Sequence, residues 1–314
     1  MDTNSIIILG NGFDVALGIE TRYSQFYEKS KELREFARNG NTLCQHILDH
    51  IKSDLWSDLE SGLYQYSKLI TQQYGEGNQE QAVKLEKEFN ELRTALFDYL
   101  KTVAQEPAEV IQQMPVIGLN LEWHELMPQF LTFNYSINTA NTASKNDRYI
   151  FNADDSINEN RFVYQHGSIY DTQAYKNRNP EEIVVGIDST IQQVEPLHSF
   201  LYKTQQRLHD IESTLRIIRD KSFYVVYGCS VGDSDATYFR EIFSQTQQGK
   251  IFLIYGYGDN AIQNIVANIE RICGISIAQL STYNTVKMLD VQKVDETRQI
   301  TREVIAQYKL SLGL

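Results

Sequence analysis

A chain of 314 residues and 36.3 kDa is long enough for one large globular domain, or for a nucleotide-binding domain with a sizeable insertion, and too short for a multidomain machine. Hydrophobic residues make up 42% and charged residues 22%, with only 5 prolines, which excludes a disordered chain. Lys and Arg number 29 against 41 for Asp and Glu, so at a net charge of -12 the field as a whole repels a nucleic-acid backbone, whereas a local pocket for one small phosphorylated ligand stays open.

Cys44, Cys229 and Cys273 are too widely spread for a paired metal motif and are odd in number, which argues against a disulfide framework and for a cytoplasmic protein. The N-terminal MDTNSIIILGNG has no basic region before its short apolar run, and no stretch approaches the roughly 20 apolar residues of a membrane span. Neither export nor a membrane partner is expected.

Ile6 to Leu9, ending at Gly10-Asn11-Gly12, reads as a buried parallel strand running into a tight turn. From Thr21 to Gly40 the apolar spacing predicts one helix, stopped by Asn39-Gly40. Residues 41 to about 110 read as further helix with a turn at Tyr74 to Asn78, and Val83, Leu85, Phe89, Leu92, Leu96, Tyr99 and Leu100 recur near the helical period. This helical insertion either covers a cleft or sheet edge, or packs beside the core. Strand signals return at Phe130 to Phe133, Arg161 to Tyr164 and Ile183 to Gly186, with a polar loop over residues 136–159.

Pro196 to about Arg219 fits a helix, Phe223 to Gly228 a strand, Ala236 to Phe243 a helix, Ile251 to Tyr255 a strand and Ala261 to Ile272 a helix. Thr285 to Leu289 fits an edge strand and Asp295 to Tyr308 a closing helix. The alternation implies an α/β fold, a Rossmann-like, mostly parallel sheet covered by helices, with a helical insertion. The expected organisation is a nucleotide-binding core over 1–40 and 121–290, a helical insertion over 41–120, and a C-terminal helix and tail over 291–314.

Open α/β sheets bind ligands beyond the carboxyl ends of their strands, which directs the search for function to the residues just after them. Gly10 and Gly12 let the chain turn tightly, with N–H groups open to a pyrophosphate, or they form an ordinary strand-to-helix turn; GNGFDVALG is neither the dinucleotide fingerprint nor a P-loop. Asp14 and Arg22 read as a capping carboxylate and a surface cation, or as ligand contacts. Asn134 suits a ribose hydroxyl or a catalytic water, or a cap. His166, alone among six histidines, stands directly after a strand and before a glycine, and is either a general base or a structural hydrogen-bonding residue. Ser230 suits a phosphate or a turn, and Asp233 and Asp235 suit sugar hydroxyls or helix caps. Gly228 to Gly232 spells GxSxG, yet no histidine follows His209, which excludes a nucleophile elbow. No clustered Cys/His arrangement suggests a metal centre.

GNGFDVALGIETRYSQF at 10–26, WSDLE at 56–60, LTFNYS at 131–136, YQHGSI at 164–169 and YGCSVGDSDATYF at 227–239 resemble the phage abortive-infection AbiH family over most of the chain. The order of elements is more distantly similar to the Sir2 superfamily, including NAD-cleaving domains of antiphage systems. That second resemblance implies NAD as substrate or ligand. It sets Gly10 and Gly12 in the first glycine turn against the phosphates, Asp14 and Arg22 in the segment closing over the nicotinamide ribose, and Gly228 and Ser230 near the phosphates and adenosine ribose; Asn11 and Asp233, beyond the ends of the same strands, are further candidate nucleotide contacts. Asn134 then corresponds to the sirtuin asparagine that orders ribose and water, and His166 to the general base. Two departures stand out: Ser136 replaces an acidic residue two positions beyond the asparagine, and the four-cysteine zinc module is absent.

The sequence thus points to an antiphage effector that hydrolyses the nicotinamide–ribose bond of NAD. The alternatives are a nucleotide sensor without turnover and, more weakly, a nuclease. A second copy of the chain or a phage-derived trigger is a further possible partner.

Overall fold

The computed structural model describes residues 4–16, 18–51, 58–104, 126, 128–136, 162–170, 178–206, 211–244 and 248–313. Six parallel strands, β1 (Ser5–Leu9), β2 (Gln129–Thr132), β3 (Phe162–Tyr164), β4 (Phe223–Tyr227), β5 (Ile251–Gly256) and β6 (Thr285–Asp290), form one sheet in the order β3-β2-β1-β4-β5-β6. β1 lies between the two halves, with Ile7 opposite Phe130 on one side and Val225 on the other. Its five residues are all buried, which is why it reads as a continuous apolar run: a central parallel strand is covered on both faces.

Among the described residues the α-helices are α1 (Asn11–Ala16), α2 (Tyr23–Lys29), α3 (Lys31–Arg38), α4 (Thr42–Asp49), α5 (Leu59–Tyr74), α6 (Gln79–Val103), α7 (Ile211–Arg219), α8 (Ala236–Ile242), α9 (Gly258–Cys273), α10 (Ile277–Leu280) and α11 (Val294–Ser311). Ile7 and Leu9 pack with Phe13, Val225 and Tyr227 against Val304, Ile305 and Tyr308 of α11. Ile6 and Ile8 face the opposite layer, where α7, α8 and α9 contribute Ile218, Phe239 and Ile269. The sheet with helices on both faces is the Rossmann-like α/β architecture that the alternation of elements implies.

A third core lies among α2 to α6 and takes in Ile183, Val185, Ile187 and Leu201. Of the helices before residue 40, α2 and α3 therefore pack with those of the insertion. The single helix expected from Thr21 divides at Ser30, whose backbone is extended and whose Oγ accepts a hydrogen bond from the Leu33 N–H at 3.1 Å, ending one helix and capping the next. Along α6 the expected apolar positions are buried except Val83, which is 56% exposed; Ala82 takes the inward place.

Two other expectations are corrected. Ile183 to Gly186 is buried but is not a sheet strand: Val184 N–H donates to the His166 carbonyl at 2.9 Å, and the Gln206 side-chain amide both accepts from Val185 N–H and donates to its carbonyl, standing in for a neighbouring strand. The helix expected from Pro196 to Arg219 is instead two 3-10 turns, Pro196–Leu201 and Lys203–Gln205, followed by α7. Tyr202 and Gln206 are extended between them, because the Leu201 carbonyl pairs with Ile187 N–H rather than with its own helix. The loop expected over 136–159, residues 105–120 of the insertion, His124, His209 and Trp56 fall largely or wholly outside the described residues.

Candidate functional site

The strand order reverses between β1 and β4, where an open parallel sheet offers its crevice. The turns leaving these two strands lie against each other. Gly10 N–H donates to the Tyr227 carbonyl at 2.9 Å and Gly12 N–H to the Gly228 carbonyl at 2.8 Å. A Cβ on Gly10 would come within 2.6 Å of the Gly228 oxygen, and one on Gly12 within 2.7 Å of the Gly228 Cα. The expectation that the Gly10 and Gly12 amides face a pyrophosphate is corrected: both N–H groups are committed inside the protein, and the close approach of two backbones requires the glycines. Gly228, at φ +69°, belongs to the same interlock.

Around this turn, Asn11 is exposed and its side-chain amide pairs with Thr21, next to exposed Arg22 at the start of α2. Ser230 is exposed, and its carbonyl accepts from Asn268 at 2.9 Å. Asp233 forms a surface ion pair with Arg271. Between them Val231 is buried at φ +54°, a conformation costly for a β-branched residue. Ser230 and Asp233 thus sit on the outer side of the β4 turn.

Deeper in, the ends of β1 and β2 bring together a compact polar cluster. Asp14, 2% exposed, accepts from Asn134 Nδ2 at 3.0 Å through Oδ1 and from the Ser136 hydroxyl through Oδ2. Burial pushes the Asp14 carboxyl up to about 7, against the opposing pull of hydrogen bonds from Ser136, Asn134 and Thr21. The Asn134 backbone is held by Thr132, whose Oγ1 accepts its N–H at 3.0 Å. The Asn134 Oδ1 is buried and has no hydrogen-bond partner among the described residues.

A second cluster surrounds His166 at the end of β3. Its Nε2 lies 2.9 Å from Asp235 Oδ1 and 3.1 Å from Lys203 Nζ, while Lys203 donates to Asp235 Oδ1 and to the Ser234 carbonyl, both at 2.9 Å. The ring packs against the Phe133 and Tyr135 rings at 5.2 and 5.9 Å. Burial and then the Lys203 ammonium lower the His166 pKa, so the ring is neutral at neutral pH. Burial alone would raise the Asp235 carboxyl, but Lys203 and His166 hold it well below the usual carboxylate range. For Lys203 burial opposes the charge, and Asp235 and Glu60 outweigh it to hold the ammonium above its ordinary value.

Glu60 reaches this cluster from the first turn of α5. It is 5% exposed and accepts from the Tyr23 hydroxyl at 3.0 Å; burial, then the neighbouring Asp58, push its carboxyl well above the usual range. Tyr135 donates to the Val184 carbonyl at 2.9 Å. The site therefore draws on the sheet, on the irregular 183–206 segment and on the helical insertion.

Asn134, Asp14 and His166 were legible as strand-end residues, whereas Lys203 and Glu60 were missed. Lys203 lies in a run that reads as helix, and Glu60 lies in WSDLE, whose similarity to a family was the available signal. Among the described residues no group of three or more His, Cys, Asp or Glu side chains could hold a metal ion, and no helix is long and apolar enough to cross a membrane.

Residues 6–257 match the family described as bacteriophage abortive infection AbiH. The chain belongs to that family. The AbiH match contains both polar clusters in full, from Asp14 to Asp235, and stops at Tyr257, ahead of α9 to α11. No curated protein and no solved structure matches this AbiH chain. AbiH membership supports a role in abortive infection as a phage defence.

Proposed function

We propose that this AbiH protein is a cytoplasmic antiphage effector that binds NAD beyond the ends of β1, β2 and β3 and hydrolyses its nicotinamide–ribose bond. The observation that carries the reading is the Asn134 amide, whose buried oxygen has no partner among the described residues while its nitrogen binds a buried carboxyl. A free acceptor beside a carboxyl suits a ribose hydroxyl and an attacking water. As nicotinamide leaves, positive charge grows on the ribose, and a carboxylate in a dry setting stabilises it strongly. Exposed Arg22, near Asn11 and Gly12 at the mouth, suits the diphosphate, and Ser230 and Gly228 suit the adenosine half.

The Sir2-like resemblance gives Asn134 the same task. It also left a deficit at Ser136, where sirtuins carry an acid. Ser136 hydrogen-bonds Asp14, so a carboxyl from the β1 turn supplies that corner of the site.

The test is chromatographic detection of nicotinamide and ADP-ribose after incubation of the purified protein with NAD, alongside folded Asn134→Ala and His166→Ala proteins. Product from the wild type and at least a tenfold loss in both variants is expected. Unchanged turnover in His166→Ala would remove that residue from the chemistry. The second reading, a nucleotide sensor without turnover, is favoured by one feature: His166 Nε2 is already engaged by Asp235 and Lys203. NAD binding without product would select it.

A further inference from the structure

We propose that Asp14, rather than His166, receives the proton of the attacking water, and that His166 is a positioning residue. The inference rests on the NAD-cleaving reading above and assigns its proton.

The two candidates differ in what surrounds them. The His166 ring is already engaged, Nε2 by Asp235 and Lys203 and the ring by packing against the Phe133 and Tyr135 rings. Phe133 directly precedes Asn134, so this ring fixes the strand end that presents Asn134, Tyr135 and Ser136. A base that must first release an ammonium and a carboxylate is poorly prepared to accept a proton.

Among the described residues Asp14 has no cation as a partner. From the end of β2 it meets Asn134 and Ser136, and from the segment before α2 it meets Thr21, all neutral side chains. The charged residues flanking Thr21 are Glu20, paired with Lys29, and exposed Arg22. Burial and these three neutral partners govern its titration.

The Ser136 hydroxyl makes both protonation states of Asp14 tolerable. When the carboxyl is ionised, Ser136 donates to Oδ2; when Oδ2 is protonated, the same hydroxyl rotates and accepts. Asn134 Nδ2 keeps donating to Oδ1 in either state, and Asn134 Oδ1, buried and without a partner among the described residues, can accept from a water or hydroxyl. Three groups with one reversible hydrogen bond and one open acceptor form a proton-accepting corner.

In the step, the C1–N bond to nicotinamide breaks with its electron pair leaving on the nicotinamide nitrogen. The water oxygen bonds to C1 of the ribose and one water proton passes to the Asp14 carboxylate, from which it returns to solvent as ADP-ribose departs. Nicotinamide, ADP-ribose and one proton account for NAD and water.

The experiment is the pH dependence of kcat/KM for NAD from pH 5 to 9 in wild type, Asp14→Asn, Ser136→Ala and His166→Asn, each checked for folding by circular dichroism. Wild-type kcat/KM should rise about tenfold per pH unit and level off near 7. Asp14→Asn should lose at least about 100-fold in kcat and lose the acid limb. Ser136→Ala removes a hydrogen bond that favours the carboxylate, so its limb should move to higher pH. His166→Asn should lower kcat yet keep the limb. A limb that survives in Asp14→Asn, stays fixed in Ser136→Ala or disappears only in His166→Asn overturns this assignment while leaving NAD cleavage intact. Absence of wild-type turnover across the range overturns the cleavage reading and this assignment with it.

Discussion

Replacing Asp14 with Asn should stabilise the protein, and increasingly so as the pH rises. The wild-type carboxyl binds its proton with a pKa of about 7 in the fold against an ordinary 3.8. At about 1.4 kcal/mol per factor of ten in proton affinity, ionising this group costs the folded state roughly 4 kcal/mol. The sign follows from proton counting. Between the two pKa values the folded chain holds a proton that the unfolded chain has released, so stability falls as pH rises from about 4 to about 7, and the full penalty persists above that. An asparagine carries no such penalty, keeps an acceptor for Asn134 Nδ2 and offers an amide to a rotated Ser136 hydroxyl. Urea unfolding of both proteins at matched pH should show the stability difference moving in favour of Asp14→Asn by roughly 2.5 kcal/mol between pH 5 and 8. A difference that stays constant over this range refutes the uncompensated burial of Asp14. The destabilising carboxylate is what a functional site tolerates and a purely structural one discards.

Lys203→Met should cost about 3–5 kcal/mol in chemical unfolding, since it strands the Asp235 carboxylate in the interior, and should raise the His166 pKa measured by ring NMR, since a neighbouring cation is gone. Gly12→Ala forces a methyl group to within 2.7 Å of the Gly228 Cα and should destabilise the fold by more than about 2 kcal/mol, measured by urea unfolding. Gln206→Ala strips Val185 of partners for both its N–H and its carbonyl, and a loss of about 1–3 kcal/mol is expected in the same assay.

The sheet was legible because β1, β4 and β5 are central strands, buried on both faces, and their composition has no other use. The insertion was legible from the period of α6. Ile183 to Gly186 carries the same β-branched signature, yet the Gln206 side chain, the His166 carbonyl and the Tyr135 hydroxyl meet its hydrogen-bonding needs, and composition cannot tell these from a neighbouring strand. Pro196 to Arg219 shows how the site escaped. Propensity favours helix through Lys203, but the long-range bond from Ile187 N–H to the Leu201 carbonyl breaks it, and the break turns Lys203 into the interior. Asn134 and His166 could be found because strand ends are places where ligands bind. Composition and periodicity do not reveal Glu60, because what makes it unusual is the buried company it keeps across the fold, and only the family-like WSDLE segment marked it.

The interlocked turns of β1 and β4 also govern the order in which this molecule can be assembled on the ribosome. β1 pairs first with residues near 130 and then with residues near 225, and Gly10 and Gly12 find their hydrogen-bond acceptors only at Tyr227 and Gly228. His166 gains its carboxylate later still, at Asp235. At about 5–20 residues per second, a nascent chain spends many seconds with its first strand unpartnered and its polar clusters incomplete. A translation product cut short before residue 235 lacks the carboxylate that His166 and Lys203 share, and leaves the buried Lys203 ammonium without its ion-pair partner Asp235.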